Sequence, residues 1–349
     1  MGIVRTLAVK GATLLAVLFC VLLLTVVVVG ATGLSDKILN AMMNEELRAT
    51  RQKLATQIKD PEQLEQAMEK IKETLIVAYG LDKPWYVRMP NMLLRIITLD
   101  LGNAKTQQTF TGSIKVADII MERFPNTILL MVTVLVINFI LGLVLGVKVA
   151  TKPGSILDRA VSLYSSISYA LPTWWLGMIL ILIFSFYLRL FPFQGMHSTP
   201  PPADPIGNFL DLLWHAALPI ITLVIALSGS WIYITRSIVI TTAQEDFVTA
   251  ARAKGFPEKL VLWRYIIRVA APPILTNLIL SLPVYLGGAI LTETVFGWPG
   301  MGLLYYNSIM AVDEALILAL TYMYTIIYVA CRFVLEILYI ILDPRVRYK

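Results

Sequence analysis

The chain has 349 residues, of which 57% are hydrophobic and only 15% are charged. Soluble domains contain ~45–50% apolar and ~25% charged residues, so this composition excludes an ordinary soluble protein. The net charge of +6 would suggest nucleic acid in a soluble protein. In a membrane protein the excess of Lys and Arg in loops accounts for it, and we expect no nucleic-acid partner. Cys20 and Cys331 lie far apart in apolar runs, so neither a disulfide framework nor a thiolate metal site is indicated.

Six apolar runs are long enough to cross a bilayer, since a spanning helix needs ~20 mostly apolar residues. The runs are Gly11–Ser35, Phe124–Val147, Ala160–Leu188, Leu212–Thr235, Val269–Thr292 and Ala315–Leu342. The last run carries Arg332 and Glu336 near one end, at an i,i+4 spacing that lets a helix pair them. A signal peptide is the alternative for the first run, but 25 uncharged residues exceed the ~7–15 of a signal-peptide apolar region. We therefore expect an all-α polytopic membrane protein with six transmembrane helices.

The Lys and Arg residues outside these runs predict the orientation. They lie near the N-terminus, in residues 148–159 and 236–268, and in the tail, whereas the short connections 191–211 and 293–314 contain none. Short cytoplasmic loops carry the positive excess, so both termini are predicted to be cytoplasmic in a multi-pass protein of the cell (plasma or inner) membrane.

Three segments follow from this orientation. Residues 1–35 form the cytoplasmic N-terminus and first transmembrane helix, and 36–123 form an external soluble segment. Residues 124–349 form a five-helix core with a cytoplasmic loop at 239–268. Within the external segment, charged helix formers from Asn40 to Val77 predict two solvated helices interrupted at Asp60–Pro61. These helices either cover the outer mouth of the protein or offer a docking surface to an external partner.

Several kinds of chemistry lack their local signatures. The sequence has no phosphate-binding G-x-x-x-x-G-K-[ST] loop, no H-E-x-x-H, no G-x-S-x-G and no C-x-x-C. We therefore predict no enzymatic activity, no catalytic residue and no cofactor bound by this chain. His197 and His215 could form a metal site only with a third ligand such as Asp204 or Asp211, and we favour two interfacial histidines. No charge lies at the centre of any run, which argues against a proton-driven carboxylate relay.

Neutral polar residues recur at helical spacing in two of the runs. The fifth run has Asn277, Ser281, Tyr285, Gly288 and Thr292, and the fourth has Thr222, Ala226, Gly229, Tyr233 and Ser237. Each set falls on one side of a helix. Close helix packing through small residues is one explanation. A translocation pathway is the other, because Tyr and Asn are large for a packing seam and suit a hydrated lumen.

Two loops carry the remaining local signals. Asp246 to Lys254 predicts a short helix that ends at Gly255, with Pro257 preventing its continuation. A compact surface helix with small residues on one face can enter a cleft on another protein. Farther along, Phe296–Gly302 is rich in Gly and Pro, which forbids a long regular helix. We interpret its residues as an external gate loop, with a tight turn that places Trp298 at the membrane interface as the alternative. The gate residues are Gly297, Trp298, Pro299, Gly300 and Met301.

The helix ending at Gly255 resembles the coupling segment of ABC importer permeases, whose pattern is E-A-A-x-x-x-G. Ala250, Ala251 and Gly255 match that spacing, and Thr249 stands at the usual Glu position. Residues 287–302, 342–348, 81–84, 100–102, 122–127, 157–159 and 171–177 extend the likeness along nearly the whole chain. Together they resemble the B-type subunit of the dipeptide/oligopeptide ABC permease family. The chain departs from the family at Asp313, at Cys331 and in the charged insertion at about 40–77, which bears on the substrate class.

This resemblance implies the fold of a type I ABC importer permease. It further implies a homologous second permease subunit, two cytoplasmic ATPase subunits that bind ATP and Mg, and an external solute-binding protein. Thr249, Ala250, Ala251, Lys254 and Gly255 are then the residues that couple to the ATPase. Di- or oligopeptides are the expected substrates, with oligosaccharides as the alternative.

Two other classes compete with an importer. A non-transporting membrane anchor explains the spans and the insertion but gives no reason for the two loops. A secondary transporter predicts inverted halves, and the soluble segment after the first span has no counterpart later in the chain.

Overall fold

A computed structural model describes residues 3–56, 58–98, 102–104, 106–287, 290–311 and 313–342. Within these ranges the fold is helical, and the extended pairing found is an isolated antiparallel bridge between Asn103 and Lys115. The helices in chain order are α1 Ile3–Ala31, α2 Leu34–Ala55, α3 Pro61–Ala78, α4 Trp85–Ile97, α5 Val116–Ala150, α6 Ile156–Ala170, α7 Thr173–Leu180, α8 Pro205–Ala243, α9 Asp246–Ala253, α10 Glu258–Leu260, α11 Arg268–Gly287, α12 Ile290–Phe296, α13 Met301–Met310 and α14 Glu314–Leu342. Two π-helical segments, Ile181–Tyr187 and Val261–Ile267, continue α7 and α10.

Five helical stretches of the described chain are long and apolar enough to cross a membrane, and a bent pair raises the number to six. The five are Ala8–Val28, Val116–Ala150, Pro205–Ala243, Glu258–Pro283 and Ala315–Ile337. The prediction of an all-α polytopic protein is confirmed. Gly288 of the predicted fifth run lies outside the described residues, as does the segment 343–349.

The third predicted span is not one continuous helix. α6 ends at Ala170, α7 begins at Thr173, and their axes differ by 98°. Leu171 and Pro172 between them have extended backbone angles. Proline donates no backbone hydrogen bond and disfavours helical geometry at the residue before it, so the break follows from Pro172. The uncharged run by itself gives no indication of this bend.

The predicted helices of the charged insertion are confirmed as α2 and α3. Asp60 accepts a hydrogen bond from the Glu62 N–H at 3.1 Å and Pro61 occupies the first turn, so both residues start α3. Arg51 pairs with Glu65 at 3.1 Å, joining the two helices. A further helix, α4, follows at Trp85 and was not predicted.

The described chain divides into two compact units. The first contains residues 1–14, 120–307 and 326–349, and the second contains 15–119 and 308–325. Their boundaries cut α1, α5, α13 and α14, so they do not coincide with the predicted segments 1–35, 36–123 and 124–349, which stay predictions.

Within the first unit, small residues let α6 and α8 pack closely. Gly229 of α8 lies against α6, where a Cβ atom at this position would come within 2.6 Å of Ser168 Oγ and 2.8 Å of Ser165 Cα. Ser168 also donates its hydroxyl to the Ala226 carbonyl at 2.8 Å. Small residues and serine bridges of this kind drive helix association in lipid. In the same unit Glu336 pairs with Lys10 at 3.0 Å, rather than with Arg332 as the spacing suggested.

Candidate functional site

The predicted coupling helix forms as α9, and Gly255 ends it. Gly255 has a φ of +78°, a left-handed conformation that glycine adopts without strain. Its N–H bonds to the Arg252 carbonyl at 2.9 Å, and the Phe256 N–H bonds to the Ala251 carbonyl at 3.4 Å. These bonds close the helix in the manner of a glycine C-cap. No heavy atom lies within 4 Å of a Cβ built at Gly255, so the backbone angle alone requires the glycine.

The two sides of α9 differ in exposure. Thr249, Ala250, Lys254 and Gly255 are exposed, whereas Val248 and Ala251 are buried. The buried side belongs to a core cluster with residues of α5, α8, the second π-helical segment and α11: Ala150, Val239, Val261, Ile266, Ala270 and Ile274. α9 is therefore joined through this cluster to three long helices, α5, α8 and α11. Ala251 belongs to the cluster, while the other four predicted coupling residues are exposed.

A bidentate ion pair lies on α6 and α8 in the same unit. Arg236 donates to Asp158 through Nε at 2.5 Å and Nη2 at 2.8 Å. The Gly154 N–H donates to the same carboxylate at 2.8 Å. Asp158 is 3% exposed, so its charge depends on these donors. The pair fixes the loop before α6 to the C-terminal half of α8, and the sequence analysis did not predict it.

The predicted gate loop is packed inside the first unit. Trp298 and Met301 are both fully buried. The Trp298 indole N–H donates to the Asn126 carbonyl at 3.0 Å, and the Asn126 side-chain amide donates to the Pro299 carbonyl at 2.8 Å. The loop is thus held by the start of the second span. Burial of the Trp298 indole does not fit its alternative role as a belt residue of a tight turn, because a buried indole has no contact with the lipid headgroups. The gate assignment stays a prediction.

Glu293 is the central residue that sequence reasoning missed. Its side chain is completely buried and accepts hydrogen bonds from the Thr127 hydroxyl at 2.8 Å and from the N–H groups of Gly302 and Leu303 at 2.7 and 3.1 Å. Thr127 in turn accepts the Met301 N–H at 2.7 Å. Thr127 and Glu293 therefore cap the first turn of α13 together, and we call this pair the loop clamp.

Burial of the Glu293 carboxyl favours its neutral, protonated form. Removal from water raises the pKa of Glu293 from 4.5 to about 7, against the opposing effect of the hydrogen bonds from Thr127, Leu303 and Gly302. Gly300 is needed beside it, since a Cβ there would collide with the Thr127 hydroxyl and the Glu293 carboxyl. One signal for the role of Glu293 was present in the sequence, because it is the single charged residue in residues 287–302. Its position directly after the fifth apolar run is also that of an ordinary loop residue, so this signal was not sufficient.

The predicted pathway residues fall into two groups. Thr222, Gly229 and Thr292 are buried within the chain. Thr222 donates its hydroxyl to the Leu218 carbonyl of its own helix, and Thr292 donates to the Thr173 hydroxyl at 3.4 Å. These three residues therefore contribute to packing in this conformation.

The second group has accessible side chains. Tyr233 is exposed, and Asn277, Ser281 and Tyr285 are half-buried on α11. Ser281 donates its hydroxyl to the Asn277 carbonyl at 2.7 Å. The pathway assignment of all these residues stays a prediction.

Tyr285 anchors a polar network that includes Asn138 of α5 and Trp231 of α8. The Tyr285 hydroxyl accepts from Trp231 Nε1 at 2.9 Å and from Asn138 Nδ2 at 3.2 Å. Asn138 is fully buried, and its Oδ1 has no hydrogen-bond partner among the described residues. The network joins three spans through side chains far apart in sequence, which explains why Asn138 and Trp231 were not predicted.

The two histidines lie beside the same carboxylate, that of Asp211. Asp211 lies 3.2 Å from His197 Nδ1 and accepts the Ser198 hydroxyl at 2.6 Å. His215 Nδ1 lies 3.3 Å from Asp211 Oδ1 and 2.9 Å from the backbone carbonyl oxygen of Asp211. Asp204 caps α8 by accepting the Gly207 N–H. Among the described residues, no three His, Cys, Asp or Glu side chains are grouped closely enough to hold a metal ion.

A family model and several known proteins are similar to most of the chain. Residues 140–348 match the family model described as "Binding-protein-dependent transport system inner membrane component". The oligopeptide transport system permease protein AppB of Bacillus subtilis is 32% identical over 79% of this chain and 85% of its own length. The di/tripeptide transport system permease protein DppB of Pseudomonas aeruginosa is 32% identical over 77% and 83%. A solved MetNI methionine ABC transporter in inward facing conformations has a TM-score of 0.48 and 17% identity over 63% of this chain and 96% of that chain.

Proposed function

Because the chain belongs to the family of binding-protein-dependent transport system inner membrane components and is an ABC importer permease subunit, we propose that it imports di- or oligopeptides. The substrate class rests on the printed names of its relatives, which are oligopeptide and di/tripeptide permeases. Partner ATPases supply the energy, and an external binding protein delivers the peptide. The chain itself hydrolyses no ATP and binds no cofactor; ATP and Mg lie in the ATPase subunits.

The observation that carries the ATP-coupled part of this proposal is that α9 has one exposed and one buried side. Its exposed residues, Thr249, Ala250, Lys254 and Gly255, meet the ATPase, while Val248 and Ala251 transmit the movement into the helix cluster. Closure of the ATPase dimer on ATP moves α9 as a rigid body. Because α5, α8 and α11 pack on the same cluster, they change their packing together between inward-open and outward-open states.

In the proposed cycle both termini are cytoplasmic and the loop Gly297–Met301 acts as the external gate. The loop clamp holds this gate in the present conformation through Thr127 and Glu293. Peptide then passes along the accessible side of α11 that carries Asn277, Ser281 and Tyr285. A neutral polar path can exchange hydrogen bonds with a peptide backbone without trapping it by charge.

A substrate screen on the cognate binding protein tests the substrate class. Calorimetry with di-, tri- and pentapeptides and with maltose-type oligosaccharides should give heat of binding for peptides alone. Binding of the sugars alone would assign this importer to oligosaccharides. Binding of neither class would leave the peptide proposal without its first step and reject it.

A further inference from the structure

The second unit contains a cavity of about 800 Å³ outside every site described above. It is formed by α2, the end of α3, the following turn and α4. Its wall includes Glu46, Tyr79, Lys83, Val87, Arg88 and Leu94. The wall thus combines apolar side chains with the charged side chains of Glu46, Lys83 and Arg88.

Arg88 is the unusual member of this wall, because its guanidinium is buried with unused donors. Its side chain is 9% exposed, and Nη2 donates to Asp36 Oδ1. Nε and Nη1 are buried and have no hydrogen-bond partner among the described residues. Leaving such donors unpaired is costly. A guanidinium presents its donors in a planar fork that suits the paired oxygens of a phosphate or carboxylate, so these two donors point to an anionic ligand.

The other charges on the wall also favour an anion. Lys83 is exposed, and its ammonium makes no ion pair with any residue that the structure describes. Glu46 accepts a hydrogen bond from the Tyr79 hydroxyl at 2.9 Å, and Asp36 neutralises part of the Arg88 charge. Lys83 therefore remains as an available positive charge, and Arg88 offers the directed hydrogen bonds.

The apolar side of the cavity opens onto an exposed helix face. Val87 and Leu94 line the cavity and are 52% and 63% exposed, and Tyr86 and Ile97 extend the same exposed apolar surface of α4. At the start of α4, the Trp85 ring packs directly on Gly30, near the end of α1. An amphipathic helix that begins at the end of a span, with a tryptophan at that point, is typical of the membrane interface.

From these observations we propose that the cavity binds the headgroup of an anionic phospholipid, with its acyl chains along the exposed face of α4. The phosphate accepts from Nε and Nη1 of Arg88, and Lys83 binds the negative charge. A free anion uses the cationic side alone and gives no reason for the continuous apolar face. Arg88 and Lys83 thus dock this part of the second unit to the lipid, independently of what the importer transports.

Native mass spectrometry of the purified full chain, titrated with phosphatidylglycerol and with phosphatidylcholine, tests this proposal. The unmodified chain should bind one phosphatidylglycerol about tenfold more tightly than phosphatidylcholine, because both lipids carry the phosphate but the choline ammonium of phosphatidylcholine cancels the negative charge that Arg88 and Lys83 attract. Arg88→Met and Lys83→Gln should each reduce this preference, while Lys70→Gln, which removes an exposed charge of α3 outside the cavity, should preserve it. Lys83→Gln leaves the Arg88–Asp36 pair intact, so its result does not depend on tolerance of the Arg88 change.

Further measurements distinguish the source of the anion. Leu94→Ser should weaken both lipids equally, since it removes contact with the acyl chains. Equal affinities of the unmodified chain for the two lipids, or a preference that survives both Arg88→Met and Lys83→Gln, would overturn the proposal. Displacement of the lipid by millimolar inorganic phosphate would assign the site to a free anion, and displacement by dipeptide would assign it to peptide; either result contradicts a lipid site.

Discussion

The Thr127 hydroxyl donates a hydrogen bond to Glu293 Oε1 at 2.8 Å, although 166 residues separate the two side chains. The same threonine accepts the Met301 N–H, and Glu293 accepts the next two backbone donors. One buried pair thus satisfies three N–H groups at the start of α13 and fixes the preceding glycine-rich loop. Opening of this loop requires that these bonds break together.

Replacement of Thr127 by valine should release the loop. The change keeps the shape but leaves the Met301 N–H without an acceptor and removes the hydroxyl donor to Glu293 Oε1, at a cost of roughly 1–3 kcal/mol per buried group, while Oε2 keeps its two backbone donors. A cysteine introduced by Met301→Cys, in a chain with Cys20 and Cys331 replaced by serine, should be protected in the resting protein and labelled rapidly after Thr127→Val.

Two control variants show whether the change in labelling comes from loss of the Thr127 hydroxyl. Thr133→Val on the same helix removes a hydroxyl that bonds only to its own helix, at the Leu129 carbonyl, and should not change the labelling. A cysteine introduced by Asn208→Cys, at an exposed position, should be labelled equally in all variants. If the thiol introduced at Met301 stays protected in Thr127→Val, the clamp does not hold the loop.

Stability should depend on pH through Glu293. Its folded pKa of about 7 lies above the ordinary value of 4.5, so the folded chain binds more protons here than the unfolded chain between these pH values. The free energy of unfolding therefore falls as the pH rises through this window. Thermal unfolding of the purified chain at pH 5 and pH 7.5 should show a smaller pH effect for Glu293→Gln than for the unmodified chain. Equal pH effects in the two proteins would show that Glu293 does not cause the pH dependence of stability.

Gly255→Val should abolish coupling without preventing assembly. The left-handed angle costs a residue with a Cβ about 1–2 kcal/mol, and no neighbour contributes a clash. We expect assembled complexes with normal ATPase attachment and at least a tenfold loss of uptake. Gly112→Val is a matched control, since Gly112 has a φ of +85° and equally open surroundings but lies outside the coupling segment. If both variants lose uptake equally, the effect comes from backbone strain in general.

Variants along α11 distinguish a pathway from a packing helix. Asn277→Leu should slow uptake and leave assembly unchanged, because Asn277 is half-buried and its side chain makes no hydrogen bond within the described chain. Tyr285→Phe removes the acceptor used by Trp231 and Asn138 and should lower both uptake and thermal stability. Leu280→Ala, on another side of α11, is the control. Unmodified uptake rates in Asn277→Leu and Tyr285→Ala would show that the pathway lies elsewhere.

The features that the sequence could predict depend on neighbouring residues. Asp60 and Pro61 start α3, and Gly255 ends α9, because capping requires particular residue types at adjacent positions. The spans follow from apolar length alone. Pro172 was visible in the third run, and the corner it causes could have been predicted from its effect on Leu171.

The remaining features depend on contacts between distant parts of the chain. Glu293 accepts a hydrogen bond from Thr127, and Asp158 accepts one from Arg236. Tyr285 accepts hydrogen bonds from Asn138 and Trp231. No local pattern specifies which buried polar groups satisfy one another after folding. The role of Gly229 also depends on such contacts. Its spacing on α8 fits a translocation pathway and a helix-packing interface equally well, and only its contact with Ser165 and Ser168 of α6 shows packing.

Uptake by reconstituted vesicles tests the central claim most directly. The complete complex, with and without this subunit, is reconstituted with ATP inside and the peptide-loaded binding protein outside. Peptide should accumulate only when ATP and this subunit are both present, and Gly255→Val should stop accumulation while the ATPase subunits remain bound. Accumulation that continues without this subunit, or that proceeds at the unmodified rate in Gly255→Val, would contradict the assignment of this chain as the coupled permease.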